Sequence, residues 1–215
     1  MAVVGIVPAA GRGERLGSGG PKAFVACAGR PLVEWSLDVL EAVCDRVVLA
    51  VPEGWDTGHD RVTGGAVRSA SVRAALAAAP EATVAVVHDA ARPLVTVALV
   101  ERCVEEIRAG WDGAIAAAPM TDTVKEADAS RRVVRTLDRS VLWRIQTPQA
   151  FAAGVLRRAL DVPDEVLAAA TDDASLVEAV GGSVCVVEAP PDNLKVTRAV
   201  DLEVAATLLR GRGLT

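Results

Sequence analysis

Small residues and cations dominate the segment that follows the first predicted strand. The segment runs Pro8-Ala9-Ala10-Gly11-Arg12-Gly13-Glu14-Arg15-Leu16 and continues through 17–20 to Pro21-Lys22. Small residues let backbone amides approach an anion closely, and loops of this kind lie at the carboxyl end of a parallel sheet. Arg15 and Lys22 add positive charge suited to a triphosphate. This segment therefore predicts a phosphate-binding loop.

Two better-known phosphate loops fit this segment poorly. Gly11-x-Gly13-x-x-x-Gly17 approaches the dinucleotide-binding fingerprint, but the acid expected at the end of the second strand is missing, because that strand ends at Val51-Pro52. The lysine and hydroxyl pair of a P-loop is also absent. The pattern favours a nucleotide site of another kind.

A second polar group, His88-Asp89-Ala90-Ala91-Arg92-Pro93, follows another apolar strand. A carboxylate at the end of a strand can hold Mg²⁺, which takes one or two protein carboxylates and otherwise binds water and phosphate oxygens. Asp89 could equally cap the following turn or pair with Arg92. Only three of the 23 basic residues are lysines, Lys22, Lys125 and Lys195. An ammonium acts on phosphate as a compact point charge, which draws attention to Lys22 and Lys195.

Alternating apolar strands and helices must position these loops. The predicted strands are Ala2–Val7, Arg46–Val51, Thr83–Val87, Ala114–Ala118 and Ser183–Val187. The first predicted helix opens at Pro31. The other predicted helices cover Arg68–Ala79, Val97–Ala109, Phe151–Leu160, Asp172–Val180 and Ala199–Leu209. This alternation predicts an α/β single domain, 1–215, with a mainly parallel Rossmann-like sheet flanked by helices.

The alternation breaks between Thr121 and Trp143. Polar and β-branched residues at 121–125 and 132–136 predict two strands joined by Ala127-Asp128-Ala129-Ser130. Such an inserted β-arm is too polar to build its own core, so we expect it to lean on a second copy of the chain in a homodimer.

Composition excludes several classes of protein. The longest stretch without a charge or His is Ile145–Leu156, which is too short to span a bilayer. A secretory signal carries basic residues before its apolar segment, and the apolar start of this chain has none there. We therefore expect a cytoplasmic protein without a membrane partner. A net charge of −5 with no Tyr disfavours a nucleic-acid surface. The four cysteines form no CxxC pair and are interpreted as small buried hydrophobes.

Taken together, the motifs resemble those of a known enzyme family along nearly the whole chain. They include Pro8-Ala9-Ala10-Gly11-x-Gly13-x-Arg15, Pro21-Lys22, Gly64-Gly65-x-x-Arg68-x-x-Ser71-Val72, His88-Asp89-Ala90-Ala91-Arg92-Pro93, Asp122-Thr123-Val124-Lys125, Asp138-Arg139, Leu142-Trp143, Thr147-Pro148-Gln149-x-Phe151, Thr171-Asp172-Asp173-Ala174-Ser175 and Asn193-x-Lys195-Val196-Thr197. The chain resembles the 2-C-methyl-D-erythritol 4-phosphate cytidylyltransferases of the non-mevalonate isoprenoid pathway. One departure is Ala66-Val67 after Gly65, where relatives are usually more polar.

The resemblance implies a Mg²⁺-dependent reaction of CTP with methylerythritol 4-phosphate that releases pyrophosphate. It implies catalytic roles for Arg15, Lys22 and Lys195, and metal binding by Asp89. The implied nucleotide-binding residues are Pro8, Ala9, Ala10, Gly11, Gly65, Ser71 and Asp89. The implied substrate-binding residues are Thr123, Arg139, Arg92 and Asp192. Thr123 and Arg139 would reach across the dimer to hold the phosphate of the second substrate, and Asp192 would suit a second metal or a ribose contact.

Three other functions stay open at this point. A cytidylyltransferase for ribitol 5-phosphate or another polyol phosphate would share the nucleotide half. A nicotinamide-dependent oxidoreductase is disfavoured by the missing acid, and a non-catalytic nucleotide-binding module would not need cations on both sides of the α-phosphorus. Residues with several interpretations are Arg68, Arg92 and Lys125, which suit a salt bridge as well as a substrate, and Thr171-Asp172-Asp173, which suits a helix N-terminus.

Overall fold

One seven-stranded sheet organises the chain, and the computed structural model describes residues 1–11, 13 and 20–213 of it. The strands of this sheet are β1 (Val3–Pro8), β4 (Arg46–Val51), β5 (Arg61–Thr63), β6 (Val84–Val87), β7 (Gly113–Pro119), β10 (Trp143–Ala152) and β11 (Val184–Glu188). Their order is β11-β7-β10-β6-β1-β4-β5. All run in one direction except β10, which is antiparallel to β6 and β7.

Helices cover both faces of the sheet. They are α1 (Leu32–Glu41), α2 (Arg68–Ala77), α3 (Val97–Arg108), α4 (Ala153–Leu160), α5 (Asp164–Ala169), α6 (Asp173–Ala179) and α7 (Ala199–Gly211). Side chains fix two helix starts: the Thr96 hydroxyl accepts a hydrogen bond from Leu99 N at 3.3 Å, and the Asp172 carboxylate accepts one from Ser175 N at 2.9 Å. Each satisfies an amide that the first helical turn leaves unpaired.

The core lies in two layers because side chains alternate across each strand. In β1, Val3 and Val7 pack with α1 and α3, whereas Val4 and Ile6 pack on the other face with α2, α4 and α6. Both layers exclude water, so β1 is apolar at nearly every position and matches its predicted character as a buried strand.

The predicted mainly parallel α/β sheet is confirmed, with one wrong assignment. Phe151, placed in a helix from the sequence, lies in β10, and the helix begins at Ala153. Phe151 is fully buried and pairs with Ala85 and Gly113 across the ladders, so strand pairing decides its backbone conformation.

Cys27, Cys44 and Cys103 are buried, and burial raises the pKa of the Cys44 and Cys103 thiols to about 12. Within the described residues, no helix has the length and apolar character needed to cross a bilayer.

The segment between β7 and β10 forms the predicted arm. Two short strands, β8 (Lys125–Ala127) and β9 (Val133–Thr136), pair antiparallel, and a small hairpin of β2 (Ala26–Cys27) and β3 (Arg30–Pro31) lies elsewhere. The arm is anchored at its base, where Trp143 pairs with Pro119 and Met120 N donates to Leu142 O at 3.0 Å. Every residue of β8 and β9 is exposed.

Candidate active site

The candidate site is a cavity of about 950 Å³ at the carboxyl ends of β1, β4, β5 and β6. Its lining includes nine of the residues that the sequence singles out: Pro8, Ala9, Ala10, Gly11, Lys22, Gly65, Ser71, Asp89 and Lys195. Ligands of open α/β sheets bind outside the carboxyl ends of the strands, and this cavity has that position. The roles assigned to these residues stay predictions, and Arg15 lies outside the described residues.

Close chain packing places Lys22 at one wall of the cavity. Lys22 begins a 3-10 turn, Lys22–Phe24, and its amide donates to Gly11 O at 3.2 Å. Gly13 has a φ of +67°, and a Cβ there would lie 2.7 Å from Lys22 Cβ. Only glycine suits this left-handed conformation and close approach, which explains why the loop carries Gly at this point.

Two cations bind the carboxylate of Asp89. Arg68 Nε donates to Oδ1 at 2.8 Å, and Lys195 Nζ donates to Oδ2 at 2.6 Å. The Asp89 side chain is only 11% exposed. Burial alone would raise the pKa of this carboxyl, but Arg68 and Lys195 outweigh it and hold the pKa well below its usual range. Asp89 therefore carries a negative charge at neutral pH.

Arg68 also binds a second carboxylate, which the sequence assigned only to a helix start. Arg68 Nη1 donates to Asp173 Oδ2 at 2.5 Å, and the Asp173 side chain has no exposed surface. Burial raises the pKa of Asp173, whereas the two carboxylates together raise the pKa of Arg68 against its own burial. The structure thus brings together four alternating charges, Asp173, Arg68, Asp89 and Lys195, ending at the cavity.

A buried hydrogen-bond network fixes the backbone of Asp89. Asp89 N donates to Thr147 Oγ1 at 3.0 Å, the Thr147 hydroxyl lies 3.1 Å from His88 Nδ1, and His88 Nε2 lies 3.2 Å from Arg92 O. A carbonyl only accepts, so Nε2 carries the proton and the threonine hydroxyl donates to Nδ1. Burial lowers the pKa of His88 to about 4, consistent with a neutral ring. The motifs containing His88 and Thr147 were noted in the sequence, but their contact across 59 residues was not.

Another part of the cavity lining is built by glycines that pack against Ala10 and α2. Gly65 N donates to Ser71 Oγ at 3.1 Å, and the Ser71 hydroxyl lies 3.2 Å from Val67 O. A Cβ at Gly64 would lie 2.5 Å from Ala10 Cβ, and a Cβ at Gly65 would lie 2.5 Å from Ala70 Cβ. The main chain of this wall therefore packs directly against its neighbours, with the backbone of Gly65 facing the cavity.

Four predicted substrate-binding residues do not line the cavity of this single chain. Thr123 and Arg139 lie exposed on the arm, where Arg139 Nη1 donates to Thr121 O at 2.5 Å. Arg92 donates to Asn193 O at 2.7 Å, and Asp192 pairs with Arg212 at 2.8 Å. In this structure, Arg92 and Asp192 hold the segment that precedes Lys195.

Comparison with known proteins agrees with the geometry. The model of the 2-C-methyl-D-erythritol 4-phosphate cytidylyltransferase family matches residues 3–211. The chain belongs to this family. The enzyme of that name from Nocardia farcinica is 47% identical, with 98% of this chain and 95% of the relative covered, and that from Rhodococcus jostii is 42% identical, with 96% and 95% covered.

Solved structures of 2-C-methyl-D-erythritol 4-phosphate cytidylyltransferases share the fold as well. The crystal structure of the Thermus thermophilus enzyme superposes with a TM-score of 0.84 at 35% identity, covering 98% of this chain and 100% of that one. The family model and this superposition both cover nearly the whole chain, so the fold and the family assignment do not rest on one segment.

Proposed function

We propose that this chain transfers the cytidylyl group of CTP to 2-C-methyl-D-erythritol 4-phosphate. A phosphate oxygen of the acceptor attacks the α-phosphorus of CTP, the bond to the bridging oxygen breaks, and pyrophosphate leaves with that oxygen. The carrying observation is the cavity at the carboxyl edge, where Lys22, Lys195 and the ionised Asp89 meet.

The described side chains support catalysis by positioning and electrostatics. A phosphate is already a nucleophile, so the protein must align two polyanions and stabilise charge as it develops. Lys22 and Lys195 are cations of the required kind. Neither His88 nor Ser71 offers a base, because both ring nitrogens of His88 are bonded within the buried network and the Ser71 hydroxyl bonds its own helix.

Mg²⁺, or another divalent cation, is the expected cofactor, and Asp89 suits it. The carboxylate is ionised, lines the cavity, and has lone pairs beyond those bonded to Arg68 and Lys195. Among the described residues, no three His, Cys, Asp or Glu side chains form a protein-only metal site. A cation held by one carboxylate and by phosphate oxygens matches the habits of Mg²⁺. When bound, it would neutralise charge on the triphosphate.

A homodimer through the arm is the proposed assembly. Val133, Val134 and Val141 are 56%, 57% and 71% exposed, which is unusual for apolar residues on a segment with so little support of its own. Because Thr123 and Arg139 are on the same segment and away from their own cavity lining, a second copy would bring them to a neighbouring cavity. That the protein works in the cytoplasm stays a prediction.

Pyrophosphate release tests this function. Wild-type protein is incubated with CTP, MgCl₂ and one acceptor at a time: methylerythritol 4-phosphate, ribitol 5-phosphate or other polyol phosphates. Preferred turnover of methylerythritol 4-phosphate supports the proposal, preference for ribitol 5-phosphate supports the related transferase, and CTP binding without turnover of any acceptor supports the non-catalytic module.

Variants at Lys22 test whether this lysine stabilises charge on the phosphates during the reaction. Losing one preorganised donor typically costs on the order of 10²-fold or more in kcat, so Lys22→Ala should lose rate far more than CTP affinity. Lys22→Arg keeps the charge and should show a milder defect. Wild-type turnover by Lys22→Ala would remove Lys22 from the mechanism.

A further inference from the structure

The function described so far assigns no role to the ion pair between half-buried Arg68 and fully buried Asp173. Arg68 is the first residue of α2, and Asp173 is the first residue of α6. Their side chains meet at 2.5 Å across 105 positions of sequence. Asp173 Oδ1 is buried and has no hydrogen-bond partner among the described residues. A carboxylate so fully removed from water depends on its one cation, Arg68.

Arg68 in turn fixes the carboxylate at the cavity. Its guanidinium is planar and rigid, so bonds at two of its nitrogens leave it one orientation. One bond goes to Asp173 and the other, at 2.8 Å, goes to Asp89. The second oxygen of Asp89 then receives Lys195 Nζ at 2.6 Å. Each charge in this series has its position set by the one before it.

The charge balance gives Asp173 a specific task. The four groups carry two positive and two negative charges, and Asp173 satisfies one side of Arg68. With Asp173 neutral, Arg68 would be attracted to Asp89 alone and could bind both of its oxygens, since a guanidinium pairs readily with a carboxylate in this way. Lys195 would then lose the oxygen that holds it.

We propose that Asp173 and Arg68 are positioning residues that hold Asp89 and, through it, Lys195 in their places at the cavity. The inference rests on the proposed function for its effect on rate, but the placement of Lys195 is testable without turnover. Asp173 does not itself line the cavity, but it contacts Arg68, which does, so it acts through its neighbours.

A second ion pair on the same helix supplies a matched control. Arg73 of α2 binds Asp164, the first residue of α5, at 2.6 Å. Its side chains are 41% and 75% exposed, and the pair makes no contact with Asp89. Asp164→Asn therefore makes the same chemical change at the start of a neighbouring helix, away from the charge series.

The first experiment follows the lysines directly. The chain has only three, so protein labelled with ¹⁵N and ¹³C lysine gives three side-chain signals, with Lys195 assigned from Lys195→Met. Asp173→Asn should move the Lys195 signal and leave that of Lys125 in place, whereas Asp164→Asn should move neither. An unmoved Lys195 signal in folded Asp173→Asn protein would overturn the proposal whatever the enzyme catalyses.

The second experiment is a double-mutant cycle on kcat. Asp173→Asn should lower kcat on the order of 10-fold, within the range that coupled charges give, with little change in the KM for CTP. In a Lys195→Met background the same substitution should cost almost nothing further. Full additivity of the two losses would overturn positioning through Lys195, and absence of wild-type turnover would instead refute the proposed function.

A second variant guards the test against misfolding of the first. Thermal unfolding is measured for each protein, and if Asp173→Asn does not fold, Arg68→Lys takes its place in both experiments, with the fourth lysine signal that it adds identified by comparison with the wild-type spectrum. A lysine keeps the positive charge but lacks the fork that reaches two carboxylates. A displaced Lys195 signal and a non-additive rate loss support the proposal, and an undisplaced signal with wild-type kcat overturns it.

Discussion

Gly64→Ala tests whether the part of the cavity lining formed by Gly64, Gly65 and Ser71 binds the nucleotide. The added Cβ would lie 2.5 Å from Ala10 Cβ and 3.0 Å from Ser71 Oγ. Carbon atoms in contact are normally about 3.5–4.0 Å apart, so Gly64 and Ala10 must separate by about 1 Å. Such overpacking costs about 1–3 kcal/mol. If that cost falls on the nucleotide-bound geometry, CTP affinity drops by about 5- to 150-fold.

Steady-state kinetics and calorimetry measure this effect. We expect a higher KM and Kd for CTP at saturating acceptor, with a smaller change in kcat, because the shift occurs away from Lys22 and Lys195. Gly154→Ala is the matched control, since nothing lies within 4 Å of a Cβ there and the site is inside α4. It should leave CTP binding unchanged and, because Gly154 is the second residue of α4, stabilise the fold by less than the ~0.5–1 kcal/mol typical of a helix interior. Wild-type CTP affinity in folded Gly64→Ala protein would refute the assignment of this wall.

Three further outcomes are expected. The pKa of His88, lowered to about 4, keeps the folded ring neutral while the unfolded chain takes up a proton below about pH 6.5, so this group removes about 2 kcal/mol of stability between pH 7 and pH 5. Urea unfolding at both pH values should show a smaller loss for His88→Asn, and equal losses would contradict the buried neutral ring. Asp89→Asn should require far more Mg²⁺ for half-maximal activity while retaining its fold, and an unchanged Mg²⁺ titration would leave Asp89 as an ion-pair partner only. Mixing Arg139→Ala chains with Lys22→Ala chains should restore one intact site per mixed dimer; inactive mixed dimers, verified by mass, would place Arg139 in its own chain's site.

Local sequence was enough to predict the strands whose side chains are buried on both faces of the sheet. β1 and β6 are buried on both faces, so their Val-rich runs have one interpretation. The loops after them follow from the rule that parallel strands share a carboxyl edge. β10 was missed because its sequence mixes charged, polar and apolar residues around Pro148, and its pairing with β6 and β7 outweighs those local preferences.

Side-chain partners were beyond local sequence wherever they are distant along the chain. Asp173 is a residue type typical of a helix N-terminus, and Asp172 beside it does cap α6. Nothing in the neighbourhood of Asp173 indicates that Arg68, 105 positions earlier, will bury against it. Asp192 stays a predicted substrate residue, and in the structure its carboxylate pairs with Arg212, which follows α7. Tertiary packing determines both partners.

The reversed direction of β10 places the arm at the same edge of the sheet as the cavity. A parallel strand would begin at the far edge of the sheet, and its connection from β7 would have to cross a whole face. Because β10 is antiparallel, the chain leaves β7 and returns into β10 at the edge where the cavity opens. The arm between them is a separate segment of the chain from the loops and turn that carry Lys22, Asp89 and Gly65. Under the proposed function, substitutions in this one surface segment would change acceptor binding while the residues that line the cavity keep their places.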